Sequence, residues 1–175
     1  RLADVEHGSL VALALADDDT LASAVRAFKS AEDHGLKPIT SARLRLSCGR
    51  DLIRIPLDRE GYGRLCRLLT LGRRRAPKGA CHLDLDDAIR WATGCLDIVI
   101  YDEADDALAA MLARLAAGRL GDVFLGVGHR AQGDDRRRIA AAAALAKRAG
   151  TPLVALGDSL HHAPHRRPLQ DVLTC

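Results

Sequence analysis

Two rhythms of apolar residues alternate along this chain: short runs or every-second-residue patterns that read as strands, and wider helical spacings that read as amphipathic helices. Leu10 to Leu15 is an apolar run closed by Asp17, Asp18 and Asp19, the pattern of a buried strand with polar residues at its carboxyl end. Thr20 then offers an N-cap for a helix carrying Leu21, Ala24, Val25 and Phe28 on one face, and Gly35 offers its stop. Lys37 to Leu46 reads as a half-exposed strand because Ala42, Leu44 and Leu46 alternate with Arg43 and Arg45. Cys48 to Asp51 supplies a turn, and Leu52 to Leu57 returns as the hairpin partner.

Asp58 is placed to cap a helix that carries Leu65, Leu68 and Leu69 on one face, and beyond Gly72 the run Arg73-Arg74-Arg75-Ala76-Pro77-Lys78-Gly79 reads as a basic loop. Further on, the pattern predicts a short helix from Asp86 to Ala92, a strand from Leu96 to Tyr101, and a helix from Asp105 to Ala117 with Leu108, Met111, Leu112 and Leu115 buried. A strand from Val123 to Val127, a long Ala-rich helix from Asp134 to Ala149 and a strand from Leu153 to Leu156 complete the alternation. The expected class is α/β, with parallel strands in a barrel or an open sheet and polar residues gathered at the strand ends.

Composition narrows this picture without redirecting it. The chain has 175 residues, about one domain in length, with 48% hydrophobic and only 3% aromatic residues, so the core must be built from Ala, Leu and Val. A net charge of +3 is compatible with nucleic acid and does not argue for it alone. Five cysteines without a CxxC spacing predict neither a disulfide framework nor a zinc knuckle, which fits a reducing cytoplasm. No stretch is long and apolar enough to read as a membrane span, so no membrane partner is expected. The chain opens on Arg1 and closes on Cys175 within a helical pattern, and both ends are expected to be cuts in a longer polypeptide.

Familiar catalytic signatures are missing. Gly126-Val127-Gly128-His129-Arg130 lacks the third glycine of a dinucleotide fingerprint, and neither a phosphate-binding P-loop nor a Gly-x-Ser-x-Gly elbow occurs. His7, His34, His82 and His165 are isolated, with nothing that marks any of them as a base.

Three blocks carry a resemblance. Gly157-Asp158-Ser159-Leu160-His161-His162 followed by Arg166-Arg167-Pro168-Leu169-Gln170-Asp171-Val172-Leu173-Thr174-Cys175 closely resembles the end of the polymerase-and-histidinol-phosphatase (PHP) domain of bacterial error-prone C-family DNA polymerases. Tyr62 to Leu83 and Ala14 to Val25 are similar to the same family. The resemblance implies a single PHP domain over residues 1–175, a distorted (β/α)7 barrel whose first strand, with its His-x-His pair, would lie before Arg1. Palm, fingers and thumb would lie elsewhere in the polymerase.

A working PHP domain holds divalent metals with His, Asp and Glu at the carboxyl ends of barrel strands, where the cations activate water and neutralise phosphate charge. This chain departs from that pattern at several positions. Asp17-Asp18-Asp19 stands where the resemblance implies Asp-His-Asp, Arg43 where it implies a Glu ligand, and Asp158-Ser159-Leu160 where it implies Asp-x-His. An arginine cannot deprotonate to ligate a metal. His161 and His162 do not repair the site, because neighbours on an extended segment point to opposite sides. Asp17, Asp19, His129, Asp158 and His162 are thus expected to be vestigial pocket residues, with no catalytic residue and no cofactor in this chain.

The implied function is a scaffold within an error-prone polymerase that copies damaged templates, with magnesium serving the polymerase chemistry outside the chain. Implied partners are DNA, the sliding clamp, accessory proteins of mutagenic repair and neighbouring polymerase domains. Arg73, Arg74, Arg75 and Lys78 are the expected contact with DNA or a neighbouring domain, since guanidinium pairs well with phosphate. Arg136 to Arg138, at a helix start where cations oppose the dipole, point to an acidic partner surface. The competing reading is an active manganese- or zinc-dependent phosphoesterase or 3′-5′ proofreading exonuclease.

Overall fold

In a computed structural model of the chain, residues 11–119, 122–130 and 133–157 are described, together with Pro168 and Val172. Six strands, β1 (Ala12–Asp18), β2 (Lys37–Arg45), β3 (Asp51–Pro56), β4 (Cys95–Ile100), β5 (Val123–Gly128) and β6 (Leu153–Leu156), form one curled sheet in the order of the chain. Five helices join them: α1 (Ala24–Asp33), α2 (Arg59–Arg75), α3 (Leu85–Arg90), α4 (Asp106–Ala116) and α5 (Asp135–Ala149).

Strand direction follows from the length of each connection. β1 pairs with β2 in parallel, as does β4 with β5 and β5 with β6, and a helix makes each crossover. The turn from Leu46 to Arg50 is too short for a crossover, so β3 returns antiparallel to β2, and β4 is antiparallel to β3 in turn. The hairpin is as the sequence predicts, whereas the broader expectation of parallel strands fails at β3. The other five described strands therefore share one direction, and their carboxyl ends meet the amino end of β3 at one rim.

The core is aliphatic, as the composition demands. Leu44, Leu52, Val99 and Leu125 of the sheet form one cluster with Leu65 and Leu68 of α2 and with Leu108, Leu112 and Leu145 of α4 and α5, all nearly inaccessible. Burying a leucine contributes about 2 kcal/mol, so this cluster carries much of the drive to fold. Gly61 and Gly94 let α2 sit tight on the loop before β4, because a Cβ on Gly61 would collide with the Gly94 carbonyl.

One polar group interrupts this core. Arg54 on β3 is wholly buried and forks onto Asp97 of β4, with Nε 2.7 Å from one carboxylate oxygen and Nη2 2.8 Å from the other. Its remaining donors reach the carbonyls of Ala88 and Trp91, and Arg119 closes the far side of Asp97 at 2.9 Å. A buried charge is tolerable only when partnered this completely.

β1 runs from Ala12 to Asp18, later than the apolar run Leu10 to Leu15, and two further departures from the sequence reading have a local cause. α1 begins at Ala24, not at Thr20, because Thr20 uses its hydroxyl on the Ala22 amide while Asp17 takes the amide and hydroxyl of Ser23. Arg73, Arg74 and Arg75 are the last turn of α2 instead of a loop. Cations favour the carboxyl end of a helix dipole, and the helix runs on until Pro77 prevents another turn. The helical pattern that closes on Cys175 lies mostly outside the described residues.

Candidate functional site

The rim at the carboxyl ends of the parallel strands is where a barrel of this kind gathers chemistry. β1 delivers Asp17, Asp18 and Asp19, β2 delivers Arg43 and Arg45, and the β2–β3 turn delivers Arg50 and Asp51. Asp102 and Asp105 follow β4, and His129 follows β5.

The carboxylates of this rim are turned toward cations of the chain itself. Asp18 lies opposite Arg43 in the β1–β2 register, and Arg43 Nε stands 2.8 Å from Asp51 Oδ2 and 3.9 Å from Asp18 Oδ1. Arg45 also pairs with Asp18, and Arg50 bridges Asp102 and Asp105. Asp17 serves the start of α1 through Ser23.

Asp19 has the one positive φ among the described non-glycine residues, +51°, a conformation Asp tolerates better than most. Hydrogen bonds hold it there: its amide donates to the Arg43 carbonyl at 2.7 Å, its carboxylate accepts from the Arg45 amide at 3.1 Å, and its carbonyl accepts from Arg73 at 2.9 Å. Burial pushes the Asp19 carboxyl above its ordinary value, against the opposing pull of the Arg45 amide and charge.

At the other end of the rim His129 is largely exposed, with Nε2 3.4 Å from Asp135 Oδ2. Asp135, the buried first residue of α5, also accepts from the Arg130 amide at 2.8 Å and from Arg138 at 3.4 Å. Arg138 folds back over the Tyr101 ring, 5.8 Å from its centroid, and donates to the Gly128 carbonyl. The basic start of α5 is thereby divided: Arg136 and Arg137 face solvent, and Arg138 turns inward.

Of the residues singled out in the sequence, Asp17 and Asp19 reach the same rim as His129 without converging on it. Asp158 and His162 lie outside the described residues. Among the described residues no group of three or more His, Cys, Asp or Glu side chains could hold a metal ion. Each rim carboxylate named above faces a guanidinium, an imidazole or a backbone amide.

The basic run after Gly72 also divides. Arg73 reaches back to the Asp19 carbonyl and Arg75 pairs with Asp87, while Arg74 and Lys78 are exposed with no acidic partner among the described residues. Sequence reasoning missed Arg50, Asp51, Asp102 and the Arg54–Asp97–Arg119 triad. Opposite charges at facing strand ends were the available signal, and it becomes readable only once the register is known.

No family model matches the chain. By structure it is similar to a putative metal-dependent phosphoesterase from Bifidobacterium adolescentis, with a TM-score of 0.58 and 12% identity over 89% of this chain and 78% of that one. An amidohydrolase from Chromobacterium violaceum is similar at a TM-score of 0.54 and 18% identity over 88% of this chain and 78% of that one. The fold is therefore a PHP-type α/β barrel arrangement, here a curled six-stranded half-barrel.

By sequence the chain is 38% identical over 164 residues to error-prone DNA polymerase 1 of Agrobacterium fabrum, covering 94% of this chain and 15% of that protein. It is 43% identical over 184 residues to the error-prone DNA polymerase of a Bradyrhizobium species (97% and 16%), and 47% identical over 123 residues to that of Ruegeria pomeroyi (70% and 11%). The chain belongs to the error-prone DNA polymerase family and represents its PHP-type domain, spanning 15 to 16% of the length of the first two of these relatives.

Proposed function

We propose that this domain is a scaffold of an error-prone DNA polymerase acting in translesion synthesis and damage-induced mutagenesis, and that arginines have taken over the electrostatic role of metal ions at its rim. The observation that carries this reading is Arg43, whose guanidinium stands between Asp18 and Asp51. A fixed cation there supplies the charge balance that a divalent ion gives an active site, yet it can neither ionise water nor open a coordination position.

Nucleotidyl transfer, with its magnesium, belongs to other parts of the polymerase. DNA, the sliding clamp, mutagenesis accessory proteins and neighbouring domains are the partners, and the cytoplasm is the setting. Among the described residues no helix is long and apolar enough to cross a membrane.

The test is metal content by elemental analysis after exposure to manganese and zinc, beside a 3′-5′ nuclease assay, on the complete polypeptide that carries this chain. Substoichiometric metal and no nuclease activity attributable to this domain are expected. Stoichiometric metal with activity abolished by Asp158→Ala would instead establish a working phosphoesterase.

A further inference from the structure

The basic residues of the second half of α2 have different fates. Arg73 and Arg75 are held by Asp19 and Asp87, whereas Arg67 and Arg74, equally exposed, have no acidic partner among the described residues. Arg67, Thr70, Leu71, Arg74, Arg75 and Trp91 line an open groove of about 560 Å³ between α2 and the end of α3. Arg90, the last residue of α3 and the one before Trp91, is exposed and likewise unpaired among the described residues.

Charge and spacing both favour a phosphate polymer. Arg67 and Arg74 lie two helical turns apart, about 10 Å along the axis, and a duplex carries a phosphate every ~3.4 Å of its axis on each strand, so both guanidiniums can reach phosphates of one backbone. Leu71 and Trp91 are only partly exposed, and none of the strongly exposed large apolar side chains lies in this groove.

We propose that this groove binds the phosphodiester backbone of nucleic acid, with Arg67, Arg74 and Arg90 contacting phosphates and Trp91 forming the floor. The inference rests on the polymerase family of the chain and is independent of whether the rim holds metal.

The experiment is fluorescence anisotropy of a labelled DNA duplex with the complete polypeptide that carries this chain, titrated across a range of salt. Removing three charges by R67A/R74A/R90A should weaken binding about tenfold and flatten the slope of log K against log salt by about 2.7. The matched set R26A/K29A/R148A, drawn from exposed residues of α1 and α5, should leave both unchanged, and R67K/R74K/R90K should retain most of the slope. Should the triple Ala variant melt below the parent, the single reversals R67E and R74E replace it with the same reading. Equal losses from the matched set, or no loss from the groove set, overturn the proposal. Displacement of DNA by polyglutamate as effectively as by unlabelled DNA also overturns it, in favour of an acidic protein partner.

Discussion

Arg43 stands beside Asp18 across the β1–β2 pairing and salt-bridges Asp51 at the start of β3, so one guanidinium links three strand ends. Arg43→Glu would replace this cation with a third carboxylate. The pairs are partly solvated, so the expected loss is about 1 kcal/mol. Thermal melts should show manganese raising the Tm of the variant and leaving the parent unchanged. An equal rise in the parent would show that the arginine does not stand in for a metal.

Asp19 should leave a pH signature. Because burial raises its carboxyl above the ordinary value, the folded protein holds that proton more tightly than the unfolded chain does. Its contribution to stability is fully present below the ordinary carboxylate pKa and is lost as pH rises through the raised value. Asn at this position keeps an acceptor for the Arg45 amide and tolerates the positive φ. Asp19→Asn is therefore expected to gain stability relative to the parent as pH rises through that window, measured by urea unfolding at a series of pH values. A constant difference between the two proteins would refute the assignment.

The buried triad predicts a steep penalty for partial removal. Arg54→Met abandons Asp97 to Arg119 alone and strands the Ala88 carbonyl, with an expected cost of about 3 kcal/mol or more. Arg54→Met combined with Asp97→Leu removes the uncompensated charge and should recover part of that loss. Chemical denaturation of the two variants reads the difference directly, and a double variant less stable than the single one would contradict this account.

Two glycines on α2 should respond with opposite signs. A Cβ at Gly61 meets the Gly94 carbonyl, and backbone cannot step aside as a side chain can. Gly61→Ala is expected to destabilise by about 1–3 kcal/mol. At Gly63 a Cβ has open space, so Gly63→Ala should stabilise by about 0.5–1 kcal/mol through helix propensity. Tm shifts of the same sign for both would contradict the close contact at Gly61.

Local chemistry was legible in the sequence wherever one element determined it. The Asp58 cap, the Leu65–Leu68–Leu69 face and the hairpin at Cys48 to Asp51 all follow from neighbours in sequence, and the structure contains them. The end of α2 was misread because the same three arginines suit a solvated loop or a helix carboxyl terminus, and only Pro77 arbitrates. At the rim, Arg43 was recognisable as unfit for metal, but its pairing with Asp51 depends on β3 running antiparallel. Arg54 was invisible for a further reason: an arginine amid an alternating strand reads as its solvent face, and only the Ala88 and Trp91 carbonyls at the end of α3, with Asp97, explain its burial.

The spatial order of the six strands is also their order of synthesis. Each strand emerging from the ribosome finds its docking neighbour already in place, so the sheet can grow one ladder at a time without waiting for distant sequence. Such a layout keeps contacts local and shortens the time that unpaired strand edges are presented to other nascent chains.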